Sequence, residues 1–494
     1  MPMESRNSAS GKRLNPRPCF LWVVVALLVA SAACTGCSSS TSQSSPPPPQ
    51  QPPPPPPPNT IVQSFDGDSG TLTLGLPTYK DHPDMGIASN GTYVVAVTGQ
   101  TVNIYNTSGA LQSSTAGGTF ISNAGVAFGI KANDPRIVYD PFISRWLYVC
   151  SCANDYLIVS SGSNPVTSSW KGVALSGRNG DLLMHVGFDK NWVYVSEYDV
   201  CSGVNSAAEF AIPSADVAWS GGGSVSLAHE VSDGCHTFDA IPELDLNPAK
   251  NAASPGYFLS RSGEIQNQAN AAMVLAIDTF TPSSSTAGTF SSASSPATIS
   301  TGYLYNTPVD VSQPGSPGGV RGTESHRPFS LMTINGTDLQ LVWSSGPCQS
   351  SCGSQGSDSQ QLFFWFDISI PGLSVLQQAK LSDRSLGYLF PSLAVDGSNN
   401  TLITATACST TLYCSVVIFY HLTSDGSGVF HGPNLVTSGS ANYQVCTTTP
   451  HPGWGTYTTT AQDPADTTKL WTFQEYAASA TPCRWQTRIL ELQL

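Results

Sequence analysis

One hairpin recurs along this chain: a short apolar strand, a turn built on Asp or Asn, then a strand rich in aromatic and β-branched residues. It reads MGIASNGTYVVAV at 85–97, RIVYDPFISRWLYV at 136–149 and HVGFDKNWVYV at 185–195. It returns as FSLMTINGTDLQLVW at 329–343, PSLAVDGSNNTLITA at 391–405 and YTTTAQDPADTTKLWTF at 457–473. The turn residues Asn90, Asp140 and Asp189 stand 50 and 49 residues apart, and the wide gap before Asn335 has room for one divergent copy, ELDLNPAKNAASPGYFL at 243–259. Seven units then share residues 60–494, roughly 62 residues each, which suits four-stranded blades with decorated loops. Such a unit cannot bury both faces alone and leaves its edges open, and closure into a ring solves both problems. The expected fold is therefore all-β, a seven-bladed β-propeller over 60–494, with six blades as the alternative. A two-sheet sandwich is too small for this many hairpins.

Composition agrees with that reading. The chain has 44 Gly, 37 Pro and 6 Met, only 11% of its residues are charged, and no helical periodicity lasts three turns beyond residue 60. A helical bundle, a coiled coil and a collagen are excluded. Twenty Lys and Arg stand against 33 Asp and Glu, a formal charge of −13. An acidic body argues against nucleic acid or an anionic lipid surface as the ligand.

The N-terminus carries an export pattern. Arg6, Lys12, Arg13 and Arg17 precede the apolar run FLWVVVALLVASAA at 20–33, which is too short to span a bilayer and reads as a secretory signal over residues 1–33. Cys34 and Cys37 follow small residues directly. This resembles the lipobox of bacterial lipoproteins, and the resemblance implies acylation of Cys34; ordinary secretory cleavage nearby is the alternative. Residues 38–58 are Ser, Thr, Gln and Pro, including Pro46–Pro49 and Pro52–Pro58, and Asn59 follows. Consecutive prolines lack amide donors and hold an extended rod, so residues 34–59 form a lipidated, stiff spacer. The expected protein is a monomer in the cell envelope, anchored at the outer membrane or extracellular, which touches the membrane only through its lipid.

Of 13 Cys, three lie in the signal region (Cys19, Cys34, Cys37) and ten in the body. An even number in an exported chain points to disulfides. Proximity favours Cys201–Cys235, Cys348–Cys352, Cys408–Cys414 and Cys446–Cys483, leaving Cys150 and Cys152 either reduced or paired elsewhere. Zinc is not expected, because no Cys pair has a His or a second Cys pair at ligand spacing.

DHPDMGIASNGTYVVAVTGQTVNIYNTSG (81–109), DPRIVYDPFISRWLYV (134–149), HPGWGTYTTTAQDP (451–464) and LWTFQEY (470–476) resemble the blade signatures of large secreted bacterial propeller proteins grouped loosely with the sialidase-like propellers. The resemblance covers most of the body and implies the fold and export. The sialidase Asp-box, Ser-x-Asp-x-Gly-x-Thr-Trp, has its nearest match in TSDGSGVF (423–430), which lacks Gly at the fifth position.

In a propeller the first strand of each blade lines the axis, so residues just before or within it converge at one mouth, where a ligand would sit. Those positions are His82 and Asp84, Asp134 and Arg136, Asp181 and His185, then Glu324, His326 and Arg327, Arg384 and Tyr388, and Trp454 and Tyr457. Arg178 precedes the third set. Carboxylates, His, Arg and aromatic rings around one mouth suit glycan recognition: rings stack on sugar faces and charged groups take hydroxyls and carboxylates. His82, Arg178, Arg327, Arg384, Trp454 and Tyr457 are the expected ligand contacts. A hydrolase would draw acid and base from Asp84, Asp134, Asp181 and Glu475. A lyase acting on uronic acids would use His326 or His185 with Tyr457. Asp140, Asp189, Asp396 and Asp463 stand in turns and are expected to cap them. Asp66, Asp68 and Gly70 in DGDSG have the close oxygen spacing of a calcium loop but lack its later Glu; no other cofactor is expected. Two readings follow: a tethered propeller that binds extracellular glycan or a surface partner, and a glycan-cleaving enzyme of the same architecture.

Overall fold

The computed structural model describes residues 60–494 except 72–82, 127–132, 152–154, 176–181, 202–203, 220–224, 226, 238–239, 262–269, 292–296, 321–327, 335–336, 349–351, 353–355, 444–453, 456 and 479–483. It is a seven-bladed β-propeller. Each repeated hairpin is the inner pair of strands of one blade, because the alternating apolar residues of its second strand are sandwiched between neighbouring blades. Blade one is Gly86–Ser89, Tyr93–Val97, Thr101–Asn106 and Leu111–Ala116. Blade two runs from Asn133–Asp140 to Trp170–Ala174, and blade three from Leu182–Phe188 to Val231–Thr237. Blade four is the divergent copy: its inner strand is broken into Ile241–Pro242 and Leu244–Asp245, and both Gly288–Phe290 and Ala297–Tyr305 pair with Ala271–Pro282. Blades five and six begin at Pro328–Ile334 and Gly387–Val395.

Blade seven holds the closure. Thr459–Gln462, Lys469–Tyr476 and Arg484–Gln493 are joined by Thr60–Thr71 from the other end of the chain, antiparallel, with Phe65 opposite Ile489. The DGDSG segment is therefore strand and not loop. Asp66 pairs with Arg488 at 2.6 Å, and Asp68 accepts from the Thr98 and Thr101 hydroxyls. The strand's register shifts between Ile61 and Gln63 and again between Asp66 and Ser69.

Apolar clusters occupy every seam of the ring. Met85 and Val94 of blade one pack on Trp471 and Phe473 of blade seven; Val95 and Ile104 pack on Ile137 and Trp146 of blade two. Leu147 and Val149 meet Val186 and Phe210 of blade three, and Trp192 meets Phe258 and Phe280 of blade four. Leu275 and Ile277 pack on Leu341 and Phe364 of blade five. One further cluster runs from Trp365 of blade five through Leu402 and Phe419 of blade six to Leu470 of blade seven. Burial decays outward within a blade: Gly387–Val395, Thr401–Cys408 and Ser415–His421 are wholly buried, whereas His431–Thr437 is half-buried to exposed. Gly187 is required where blades three and four touch, since a Cβ there would lie 2.1 Å from the Glu243 carbonyl oxygen.

The four expected turn caps are present, in blades two, three, six and seven. Asp140 accepts from the Phe142 amide at 2.8 Å, Asp189 from Trp192 at 2.8 Å, Asp396 from Ser398 at 2.8 Å and Asp463 from Ala465 at 2.9 Å. Asn90 and Asp245 cap their turns in the same way. Burial pushes the Asp140 carboxyl up to about 7, against the pull of those amides. Among the described residues the disulfides Cys348–Cys352 and Cys408–Cys414 form as proximity predicted. Cys150 is disulfide-bonded too, which removes the reduced alternative for it. The pairings Cys201–Cys235 and Cys446–Cys483 fall outside the described side chains. These bonds belong to a protein of an oxidising compartment, extracellular or secreted. Among the described residues no helix is long and apolar enough to cross a membrane.

Candidate functional site

The inner strands all begin at one end of the ring, and their opening residues share an unusual backbone. Asp84 stands two positions before Gly86 with φ of 44°, Asp134 two before Arg136 with φ of 51°, and Phe390 two before Ser392 with φ of 45°. A left-handed non-glycine residue costs about 1–2 kcal/mol. Its recurrence coincides with register breaks between Asn133 and Arg136 and between Leu389 and Ser392. A bulge of this kind re-aims the side chains that follow it, and blade three has one between Leu182 and His185.

Arg136 is the hub of the mouth. Its guanidinium carbon lies 3.5 Å from the centre of the Tyr457 ring, a cation–π contact worth about 1–2 kcal/mol. Burial lowers the guanidinium's proton affinity, while Tyr457, Asp134 and Asp84 raise it. His185 meets the same ring edge-on, with centroids 6.0 Å apart at 82°. Tyr457 is held by its own backbone, whose carbonyl accepts from the Met85 amide at 3.1 Å. Asp84, Asp134, His185 and Tyr457 are all buried. Four blades thus bring two carboxylates, an arginine, an imidazole and a phenol to one end of the axis. Beyond them Ile87, Ile137, Phe188, Leu244 and Leu246 line a small, mainly apolar cavity of about 50 Å³.

The other predicted residues divide into three groups. Glu475 is buried close to this mouth: its Oε2 accepts from the Gly455 amide at 2.7 Å, and a Cβ on Gly455 would come within 3.3 Å of Pro83, beside Asp84. Trp454 is 1% exposed. Its ring packs on Tyr443, centroids 5.0 Å apart, and its indole donates to the Thr406 hydroxyl at 3.3 Å. Tyr388 is likewise packed, against Phe363 and Phe419, and Arg384 is exposed in the loop ahead of blade six. His82, Arg178, Asp181, Glu324, His326 and Arg327 lie outside the described residues, as does Cys34.

No protein-family model matches the chain, and no curated protein matches it. Solved structures with a similar course of chain are propellers of varied role. The extracellular domains 1–2 of Drosophila Semaphorin 1b share 7% identity over 88% of this chain and 87% of that one, TM-score 0.40. A polysaccharide lyase of family PL25, an ulvan lyase, shares 9% over 69% and 77%, TM-score 0.36. The GH93 α-L-arabinofuranosidase of Fusarium graminearum shares 12% over 71% and 89%, TM-score 0.36.

Proposed function

We propose that this protein is an exported propeller, tethered through Cys34 and its proline spacer, that binds an acidic extracellular glycan at the axial mouth. The observation that carries this reading is Arg136 stacked on Tyr457 with His185 beside them. A guanidinium at the axis offers a planar fork for a uronate carboxylate, and the surrounding rings offer apolar faces for sugar. A second reading, cleavage of that glycan by β-elimination, draws on the same juxtaposition. Arg136 would neutralise the carboxylate, and His185 and Tyr457 are the two groups able to take and return a proton.

Affinity electrophoresis of residues 57–494 through gels carrying polygalacturonate, alginate or neutral dextran tests both readings. Retention by an acidic polymer and not by dextran is expected. Arg136→Met should weaken it roughly 10- to 100-fold, the worth of a charge-assisted hydrogen bond. Formation of an unsaturated uronate that Tyr457→Phe abolishes would establish the second reading. Equal retention by dextran, or an Arg136→Met protein that binds as well as the parent, would overturn the first. In cells, Cys34→Ser is expected to release the protein from the membrane fraction; unchanged fractionation would remove the lipid from the proposal.

A further inference from the structure

A second pocket lies away from the axis, in the seam between blades five and six. Blade five contributes Asp338 and Gln340 from one strand, Asp367 from the next and Gln377 from the third. The register pairs Gln340 with Asp367 and Asp367 with Gln377, so these side chains share the face turned toward blade six. Further along the same face stand Val342 and Trp365, which are packed in the seam. The face therefore changes from apolar to acidic at its end. Blade six and its loops answer with Asn399, His421, Thr423, Asp425 and Ser427 around a cavity of about 260 Å³.

Charge in this pocket is uncompensated. Its three lining carboxylates face one imidazole, and no Lys or Arg is among the described lining residues. Asp425 is already engaged, accepting from the Leu422 amide at 2.8 Å and from His431 Nε2 at 3.1 Å. Gln340 is engaged as well, its carbonyl oxygen accepting from Trp365 and Thr401. Asp367 is different. It is 7% exposed, its Oδ2 has only a long contact of 3.5 Å from Gln377, and its Oδ1 is buried with no hydrogen-bond partner. Burial, with neighbouring Asp338 adding to it, pushes this carboxyl up to about 6. A buried carboxylate oxygen with no donor costs about 1–3 kcal/mol or more, and a ligand carrying the missing donors would recover that cost.

We propose that the blade five–six pocket binds the primary ammonium group of a small polar ligand, with Asp367 Oδ1 and Asp338 as its acceptors. Three observations select an organic cation over a metal ion. No group of three acidic, His or Cys side chains among the described residues is placed to hold a metal. The site is roomy, whereas a hard cation draws its oxygens to within about 2.6 Å. The rest of the lining, Asn399, Thr423, Ser427 and Gln377, is hydroxyl and amide, suited to a polyhydroxylated body and not to an apolar one. An amino sugar fits that description. This site is independent of the axial mouth and stands whether or not the mouth takes glycan.

Titration calorimetry of residues 57–494 at about pH 7, where Asp367 is mostly ionised and the glucosamine amine is still mostly protonated, tests the assignment with glucosamine and with its uncharged N-acetyl counterpart. Glucosamine is expected to bind and N-acetylglucosamine to bind at least tenfold more weakly. Asp367→Asn should lose at least tenfold in glucosamine affinity, and so should Asp338→Asn, which sits at the pocket's edge and leaves the core untouched. Arg136→Met should leave glucosamine binding unchanged, which separates this site from the axial one. Absence of glucosamine binding, equal affinity for the two sugars, or full affinity in both Asp variants would overturn the proposal. Calcium binding that Asp367→Asn abolishes would overturn it in favour of a metal site.

Discussion

Removing residues 60–71 is expected to abolish cooperative folding of the whole propeller, although those residues are only one strand among the thirty-two of the described residues. The strand is the outer member of blade seven and bridges blade seven to blade one. Its Phe65 packs on Tyr105 at 5.1 Å and on Trp471 at 6.3 Å, and Asp68 takes the Thr98 and Thr101 hydroxyls of blade one. The Thr487 hydroxyl donates to the Asp68 carbonyl at 2.6 Å. Without it, Arg484–Gln493 becomes an open edge with unpaired amides and carbonyls, a template for aggregation. Blades one and seven also lose the clasp that keeps their shared seam shut. The cost is comparable to the whole stability of a typical protein, about 5–15 kcal/mol. A chain beginning at residue 72 should be insoluble or show no cooperative urea transition, while one beginning at residue 57 should unfold like the full chain. Arg488→Met removes only a half-exposed ion pair and should cost at most about 1 kcal/mol. A soluble, cooperatively unfolding chain from residue 72 would mean that the ring does not need its N-terminal strand.

That closing strand also marks where the sequence stops being informative. The seven inner hairpins are legible because each couples an Asx turn to a strand of aromatic or β-branched residues, two signals with a local physical cause. TIVQSFDGDSGT has neither alternation nor a turn partner, and its identity as strand depends on Arg484–Gln493 at the far end of the chain. The mouth is legible to the same degree as the repeat: the phase of each blade alone places Asp84, Asp134, Arg136, His185 and Tyr457 at one end. Whether a ring there faces ligand or core is a different question. Trp454 and Tyr457 sit three residues apart in the same Gly-rich segment, yet one packs against Tyr443 and the other meets Arg136. Deciding between them requires the long-range partner, which no local pattern supplies. The acidic pocket left a faint trace, since Asp367 interrupts the otherwise apolar run LFFWFDIS, but its counterpart Asp425 lies in another blade.

Lys250→Met is expected to be the most destabilising single substitution outside the apolar seams, and increasingly so as pH rises. Lys250 follows the broken inner strand of blade four, and its ammonium is 2.5 Å from Glu243 Oε1, 3.0 Å from Asp189 Oδ2 and 3.3 Å from Asp245 Oδ2. All four side chains are buried. Asp189 also accepts from the Tyr194 hydroxyl at 2.7 Å, so the network ties blade three to blade four. Burial alone would lower the Lys250 ammonium, but the three carboxylates outweigh it and hold it above its ordinary value. Burial likewise pushes Glu243 up to about 7 despite the pull of Lys250, with Asp245 and Asp189 adding to the push.

One cation among three acids leaves excess negative charge, and a Glu243 proton relieves it. Because the folded Glu243 binds its proton more tightly than the unfolded chain does, stability from this group is greatest at low pH and is lost as pH climbs from about 4.5 to about 7. Lys250 itself does not titrate in that window, being charged in both states, but its attraction for Glu243 grows as that carboxyl ionises. Deleting the cation leaves buried carboxylates uncompensated, a cost of about 3–5 kcal/mol, or about 3–6 °C in melting temperature for a chain of this size. The loss should be smaller at about pH 5, where protons can take the place of the ammonium, and larger at about pH 8. Adding Glu243→Gln to Lys250→Met should restore part of the stability at the higher pH, because it removes one of the stranded charges. Melting curves of the three proteins at both pH values decide the matter. A Lys250→Met protein that melts within about 2 °C of the parent at both would show that the three acids hold their own protons and that the lysine adds nothing.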